Sequence, residues 1–193
     1  MNQTILSEHD DIRNAIEVLR RGGIILYPTD TVWGIGCDAT NPAAVKRVFE
    51  IKQRSDSKAL ILLVGNEGTL QRFVENIPDI AWQLIDAAVN PLTIIYDKVV
   101  GIAPEAIAAD GSAAFRITSE RVSRRLCDSF RKPLVSTSAN ISGKPTPHIF
   151  SEISPEIINA VDYVMTTRRD DTTEANPSSI IKVSDGGLFK IIR

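Results

Sequence analysis

Apolar residues along this chain recur with two alternating spacings, one helical and one suited to buried strands. Ile12, Ile16 and Leu19 share a helical face behind Ser7, a capping side chain, and Gly22-Gly23 ends the run. The next apolar block, Ile24 to Tyr27, is too short for a helix and stops at Pro28, so it reads as a buried strand. Asn41-Pro42 opens a second helix through Val45, Val48 and Phe49, and Leu60 to Val64 forms another strand. Helical spacing returns around Leu70 to Val74 and Ile80 to Ala88, followed by strands at Leu92 to Tyr96 and Ala113 to Ile117. Ser119 stands where it can cap a helix that carries Val122, Leu126 and Phe130 on one face. Leu134 to Ser136 is a strand, Ser154-Pro155-Glu156 starts a helix, and Tyr163 to Met165 is again strand. Ser179 to Val183 and Leu188 to Ile192, joined through Asp185-Gly186-Gly187, close the pattern as a hairpin.

Such alternation predicts an α/β fold, a twisted mixed sheet with helices packed against it. No repeat, linker or low-complexity tract divides it, which implies a single domain over 1–193. The long polar stretch from Arg168 to Pro177 reads as a surface loop.

Composition excludes several functions. A net charge of −2 rules out coating nucleic acid or anionic membrane through bulk charge, so any anion site must come from local clustering. Cys37 and Cys127 sit beside apolar residues and read as small buried hydrophobes. No apolar run approaches the roughly 20 residues of a membrane helix, and the acidic N-terminus lacks a signal pattern. A cytoplasmic protein without membrane partners is expected. His9 and His148 are too few and too scattered for a histidine metal cage, so no metal ligands are assigned. Phosphate-loop, dinucleotide-binding and α/β-hydrolase motifs are absent.

The candidate chemistry lies where polar clusters follow strands, the usual place for ligands of α/β sheets. Tyr27 to Gly36 combines two threonines, Asp30 and two glycines, either a ligand-binding turn or a plain chain reversal. Lys52, Arg54 and Lys58 put three cations within seven residues, which suits phosphate or merely a helix C-terminus. Leu134 to Pro145 carries a run of hydroxyl and amide side chains that need buried partners, supplied by a ligand or by local turns. Asn176-Pro177-Ser178-Ser179 precedes the closing hairpin, which ends in Arg193.

Together, in this order, these segments resemble the YrdC-type threonylcarbamoyl-adenylate synthases. The stretch Pro28 to Gly36 is similar to that family's Pro-Thr-Asp-Thr-Val-Tyr-Gly-Leu segment, and Lys52-Gln53-Arg54 to its Lys-x-Arg element. Ser138-Ala139-Asn140 resembles its Ser-x-Asn element, Arg116 the arginine of Val-Arg-Ile-Pro, and Pro177-Ser178-Ser179 a Pro-Ser-Thr before a late strand. The likeness runs from about residue 10 to Arg193. Trp33 replaces the usual tyrosine, Ser55, Ala59 and Thr118 replace prolines, and only the end of a Pro-Gly-Pro-x-Thr element survives at Val89 to Thr93. The chain also stops at Arg193, where family members usually continue.

The resemblance implies a YrdC-like sheet with a concave, cation-lined cavity. It implies an enzyme, a nucleotidyltransferase that makes threonylcarbamoyl-AMP and pyrophosphate from L-threonine, bicarbonate or carbon dioxide, and ATP. That product serves threonylcarbamoyladenosine modification of tRNA, with downstream transferase proteins as partners and magnesium arriving with the ATP. Lys52, Arg54, Lys58, Asn140 and Arg193 would then hold the nucleotide phosphates, with Ser112 and His148 as further contacts to the nucleotide. Thr31, Arg116, Ser138 and Ser179 would hold threonine, Arg116 facing its carboxylate. Lys52, Arg54, Ser138 and Asn140 are the catalytic candidates, and Asp30 is a candidate base. Two rivals share the resemblance: a double-stranded-RNA or tRNA-binding module using Arg121, Arg124, Arg125, Arg131 and Lys132, and a YciO-like paralogue without this activity.

Overall fold

The structure, a computed structural model, describes residues 6–53 and 60–193. Five of the six described α-helices start where a side chain accepts from their first free amides. Ser7 accepts from the Asp10 amide to cap α1 (Glu8–Arg20), and Asn41 accepts from Ala43 and Ala44 to cap α2 (Pro42–Ile51). Ser154 does the same for α6 (Pro155–Ala160) through the Ile157 amide.

Two helix starts differ from the sequence reading. The helix expected from Leu70 is α3 (Glu67–Gln71), because Asn66 caps it through the Thr69 amide and Val74 is drawn into a bridge with Val99. The cap of α5 (Arg121–Phe130) is Glu120 rather than Ser119. The Glu120 carboxylate accepts from both the Val122 and Ser123 amides, and its charge complements the helix N-terminus. The remaining helix, α4, spans Asp79–Ala87.

Nine strands among the described residues form one mixed sheet: β1 (Ile25–Tyr27), β2 (Gly34–Gly36), β3 (Ile61–Val64), β4 (Leu92–Tyr96), β5 (Ala113–Ile117), β6 (Leu134–Ser138), β7 (Tyr163–Val164), β8 (Ser179–Val183) and β9 (Phe189–Ile191). Their order is β7-β1-β2-β6-β3-β5-β4-β8-β9, with β1/β7, β3/β5 and β4/β8 parallel and the other neighbours antiparallel. Strand β2 went unread in the sequence, where Tyr27 to Gly36 looked like a turn; it returns antiparallel to β1, Tyr27 opposite Gly34. Gly36 fits there because nothing larger does. A Cβ would stand 2.6 Å from Tyr27 Cε1 and 2.8 Å from the Val135 carbonyl oxygen. Gly36→Ala should therefore destabilise the protein by about 1–3 kcal/mol, the usual cost of overpacking, in a denaturant titration.

Side chains alternate across the sheet and split the core in two. Leu26, Ile35, Leu62, Val64, Phe115 and Val135 face a layer that includes Val45 and Val48 of α2, Leu70 of α3 and Ile157 of α6. Ile25, Tyr27, Leu63 and Leu134 face the other way, under Ile12, Ile16 and Leu19 of α1 and Val122, Leu126 and Phe130 of α5. Each such side chain contributes about 1.5–3 kcal/mol of burial. By the same alternation Ile61, Arg116, Ser136 and Ser138 share the face of Leu63 and Leu134 and line an open cavity there.

One polar junction ties α1 to the end of the sheet. Asp11, 0% exposed, accepts from Tyr163 Oη at 2.6 Å, from the Thr166 and Thr167 amides at 2.8 and 2.7 Å, and from Thr167 Oγ1 at 2.6 Å. A buried carboxylate with four donors is well satisfied.

Candidate functional site

The turn between β1 and β2 is shaped by its own hydroxyls. Thr29 Oγ1 donates to the Val32 carbonyl at 2.7 Å and accepts from the Thr31 amide at 3.1 Å. This local bonding sends Asp30 inward to Arg116 of β5, whose Nη2 lies 2.9 Å from Asp30 Oδ1 and donates to Thr31 Oγ1 at 3.3 Å. Arg116 and Asp30 side chains are only 3% and 7% exposed. Burial raises the Asp30 carboxyl above the ordinary carboxylate range, and the Arg116 charge opposes that rise without cancelling it.

Across the sheet, Ser138 and Asn140 form a tight turn off β6. Ser138 Oγ donates to Asn140 Oδ1 at 2.6 Å, and Asn140 Nδ2 donates to the Lys144 carbonyl at 2.6 Å. Lys52, at the C-cap of α2 and 3% exposed, reaches this turn from beneath. Its Nζ donates to the Ser138 and Asn140 carbonyls at 2.5 and 2.8 Å. The cation expected on phosphate is thus turned inward here, where main-chain oxygens solvate it.

The chain end supplies a third wall. Ile180 and Arg193 exchange backbone hydrogen bonds, and Arg193 Nε and Nη2 donate to the Ser178 carbonyl at 3.2 and 3.1 Å. Ser178, 2% exposed, shares a 2.9 Å hydroxyl contact with Thr93 of β4.

Two adjoining cavities result. One, about 280 Å³, is walled by Thr31, Arg116, Ser138, His148, Ser178 and Arg193. The other, about 320 Å³, lies between Asp30, Trp33, Glu120, His148, Arg168 and Asp171, and both contain Thr31 and Val32. The structure therefore brings together Thr31, Arg116, Ser138, His148 and Arg193, with Lys52 and Asn140 behind the Ser138 turn.

Other expected residues fall elsewhere. Ser179 is exposed at the start of β8, and Ser178 lines the cavity in its place, because adjacent strand residues face opposite ways. Ser112 is buried with its hydroxyl donating to Asp110 Oδ1 at 2.6 Å. Arg54 and Lys58 lie outside the described residues. Among the described residues no group of three or more His, Cys, Asp or Glu side chains is placed to hold a metal ion, and no helix is long and apolar enough to cross a membrane.

The Arg168 to Pro177 stretch, read as a plain surface loop, lines the cavities through Arg168, Asp171, Thr173 and Ala175. Arg168, at a left-handed φ of 66°, donates to the Thr29 carbonyl at 3.2 Å, and pairs with Glu120 at 3.2 Å and Asp171 at 2.7 Å. The signal open to sequence reading was the opposite-charge block Arg168-Arg169-Asp170-Asp171; the Thr29 and Glu120 partners are distant in sequence. The Thr173 amide and Arg168 hold the Asp171 carboxyl down at about 2. A lowered carboxyl stabilises the loop above its ordinary range and loses that contribution as pH falls toward about 2. Hydrogen exchange at the Thr173 amide, 2.9 Å from Asp171 Oδ1, should accelerate through that window relative to the core strands. Unchanged relative protection would refute the contact.

The arginine set expected of an RNA-binding face is largely paired. Arg121 and Arg125 both bridge to Glu8, Arg124 is 3.9 Å from Asp128, and Lys132 is 2.6 Å from Asp38. Local acids thus offset the field that a phosphate backbone would need.

Known proteins resemble this chain in sequence and in fold. The profile of the Sua5/YciO/YrdC family, described as "Telomere recombination", matches residues 17–193. Threonylcarbamoyl-AMP synthase of Pseudoalteromonas translucida is 34% identical over 188 residues, covering 96% of this chain and 100% of its own. Sua5 of P. abyssi, in a complex with L-threonine, superposes with a TM-score of 0.78 at 27% identity over 92% of this chain, which spans about half (52%) of that Sua5 chain. YciO of E. coli superposes with a TM-score of 0.81 at 22% identity over 97% of this chain and 89% of its own, a likeness of fold. With the profile matched to its last residue and an enzyme aligned along 96% of its length, the chain belongs to the Sua5/YciO/YrdC family.

Proposed function

We propose that the protein is an L-threonylcarbamoyl-adenylate synthase, a nucleotidyltransferase. The observation that carries this is one cavity that gathers a buried guanidinium, Arg116, and hydroxyls of Thr31, Ser138 and Ser178 with the cation Arg193 at its rim. That is a wall for a small hydroxylated amino acid beside an anion. A relative aligned over its whole length bears the name threonylcarbamoyl-AMP synthase, and a Sua5 structure with this fold holds L-threonine.

In this reading Arg116 takes the threonine carboxylate, and the hydroxyls of Thr31, Ser138 and Ser178 take its side chain. Threonine's amine combines with carbon dioxide, supplied by bicarbonate, to give a carbamate. A carbamate oxygen then bonds to the α-phosphorus of ATP as the bond to the pyrophosphate leaving group breaks. Bringing two anions together demands positioning and charge screening above all. Asn140, Arg193, Arg54 and Lys58 screen the phosphates, magnesium enters as part of the ATP substrate, and Lys52 fixes the Ser138–Asn140 turn. The product is expected to pass to proteins that modify tRNA in the cytoplasm.

Incubation with ATP, L-threonine and bicarbonate should release pyrophosphate and form the adenylate. Valine should be rejected by up to about 10⁴-fold, since a site built to bond a hydroxyl is left with unpaired groups by the isostere that lacks it. Equal turnover of both amino acids would refute these hydroxyl roles.

A further inference from the structure

Asp30 and Arg116 leave more polar capacity unused than each other can absorb. Although Arg116 Nη2 is 2.9 Å from Asp30 Oδ1, neither Asp30 oxygen is in line to accept a hydrogen bond, and Arg116 Nε has no acceptor among the described residues. All three atoms are shielded from solvent. Polar atoms so buried are nearly always bonded, so a carboxylate held by an unaligned ion pair, with an unbonded guanidinium N–H beside it, points to a ligand. That ligand must offer a cation to a carboxylate and an anion to a guanidinium, a few ångströms apart. An α-amino acid zwitterion does so. Asp30 lines the larger cavity, Arg116 the smaller, and Thr31 both, so the pair stands at their junction.

Building on the reading that Arg116 faces the threonine carboxylate, we propose that Asp30 binds the threonine ammonium and accepts the proton it must lose before carbamate formation. An ammonium N–H bond breaks, its electron pair stays on nitrogen, and the proton moves to an Asp30 oxygen. The nitrogen lone pair then forms the N–C bond to carbon dioxide as one C=O pair shifts onto oxygen, and the second proton leaves nitrogen to water. The surroundings leave Asp30 to do this alone. Arg116 is the cation that faces it from β5, while Arg168 is engaged by Glu120 and Asp171. Glu120, at the α5 cap, repels its charge, and burial pushes up the Tyr27 hydroxyl on β1 and the Cys127 thiol on α5, so both stay neutral. These influences favour a carboxylate that takes up a proton readily.

Two measurements test this. The wild-type protein is titrated with L-threonine and with the analogue carrying a hydroxyl in place of the amine. A charge-assisted contact predicts about 10- to 100-fold tighter binding of threonine, and equal affinities would overturn the site. Pyrophosphate release by Asp30→Asn is then followed against pH at constant dissolved carbon dioxide. It should be slowed about 10²–10⁴-fold at neutral pH, the range for general base catalysis. The deficit should shrink as pH nears the amine's own pKa, where free amine needs no acceptor; a deficit independent of pH would overturn the proton role. Should the variant not fold, the wild-type titration decides. Amine preference without pyrophosphate release would support the zwitterion site and remove the activity proposed above. Release without amine preference would overturn the site and leave that activity standing.

Discussion

Arg116→Met should cost the fold about 3–5 kcal/mol at neutral pH, the usual result of stripping one member from a buried ion pair. It should also abolish threonine-dependent pyrophosphate release. The methionine fills most of the volume, so the loss is electrostatic: Asp30, 7% exposed, keeps its charge and loses the cation 2.9 Å away. The pH dependence identifies the cause. Burial already raises the Asp30 carboxyl, and without Arg116 it rises further. A carboxyl raised in the folded state binds more protons there than in the unfolded chain, so stability falls as pH climbs from the unfolded value through the folded one. The deficit should therefore be small at acid pH and full at pH 8. Asp30→Asn combined with Arg116→Met should recover much of the stability and none of the activity, because no charge is then stranded. Urea unfolding of both variants at two pH values reads the effect, and an equal deficit at both would sink the account.

Lys52→Met carries the second large effect, on rate rather than on the fold. The Lys52 ammonium holds the Ser138 and Asn140 carbonyls at 2.5 and 2.8 Å, and Asn140 in turn accepts from Ser138 Oγ. Without it those carbonyls lose a charged donor, a cost of about 1–3 kcal/mol. The turn shifts, and a displacement near 1 Å at a positioning group can lower turnover about 10²-fold. Lys52→Arg should not rescue it, because a planar fork does not reproduce a compact ammonium under a turn. The split between constants decides the role. A lysine that anchors the turn lowers kcat with a modest change in KM for ATP; one that grips phosphate raises that KM chiefly.

Much of the scaffold was legible because local chemistry decides it. Ser7, Asn41 and Ser154 cap helices by bonding their own neighbours, and the apolar blocks Ile24 to Tyr27 and Leu60 to Val64 have nowhere to go but a sheet. Strand β2 was not legible, since Gly34-Ile35-Gly36 has no alternation and is held by Ser138 and Thr137 about a hundred residues away. The four polar segments of the site could be found from their placement after strands. Their bonding could not. Lys52 read as a cation for phosphate or for a helix end and is buried against carbonyls, Ser178 and Ser179 are distinguished only by strand parity, and the links of Asp30 to Arg116 and of Arg168 to Glu120 span the fold.

The Asp11 junction sets an order of events during synthesis. Helix α1 is made well before its partners, since the donors to its buried carboxylate come from Tyr163, Thr166 and Thr167, 152 to 156 residues later. Until that segment leaves the ribosome, Asp11 can only face water. The loop carrying Arg168 and Asp171 is rooted in the same segment, so the wall that it forms follows directly on the residues that satisfy the helix. A nascent chain halted near residue 150 would present α1 and β1 without a finished site; some twenty further residues bring Asp11 its donors, and Ser178 and Arg193 add their wall of the cavity only after that.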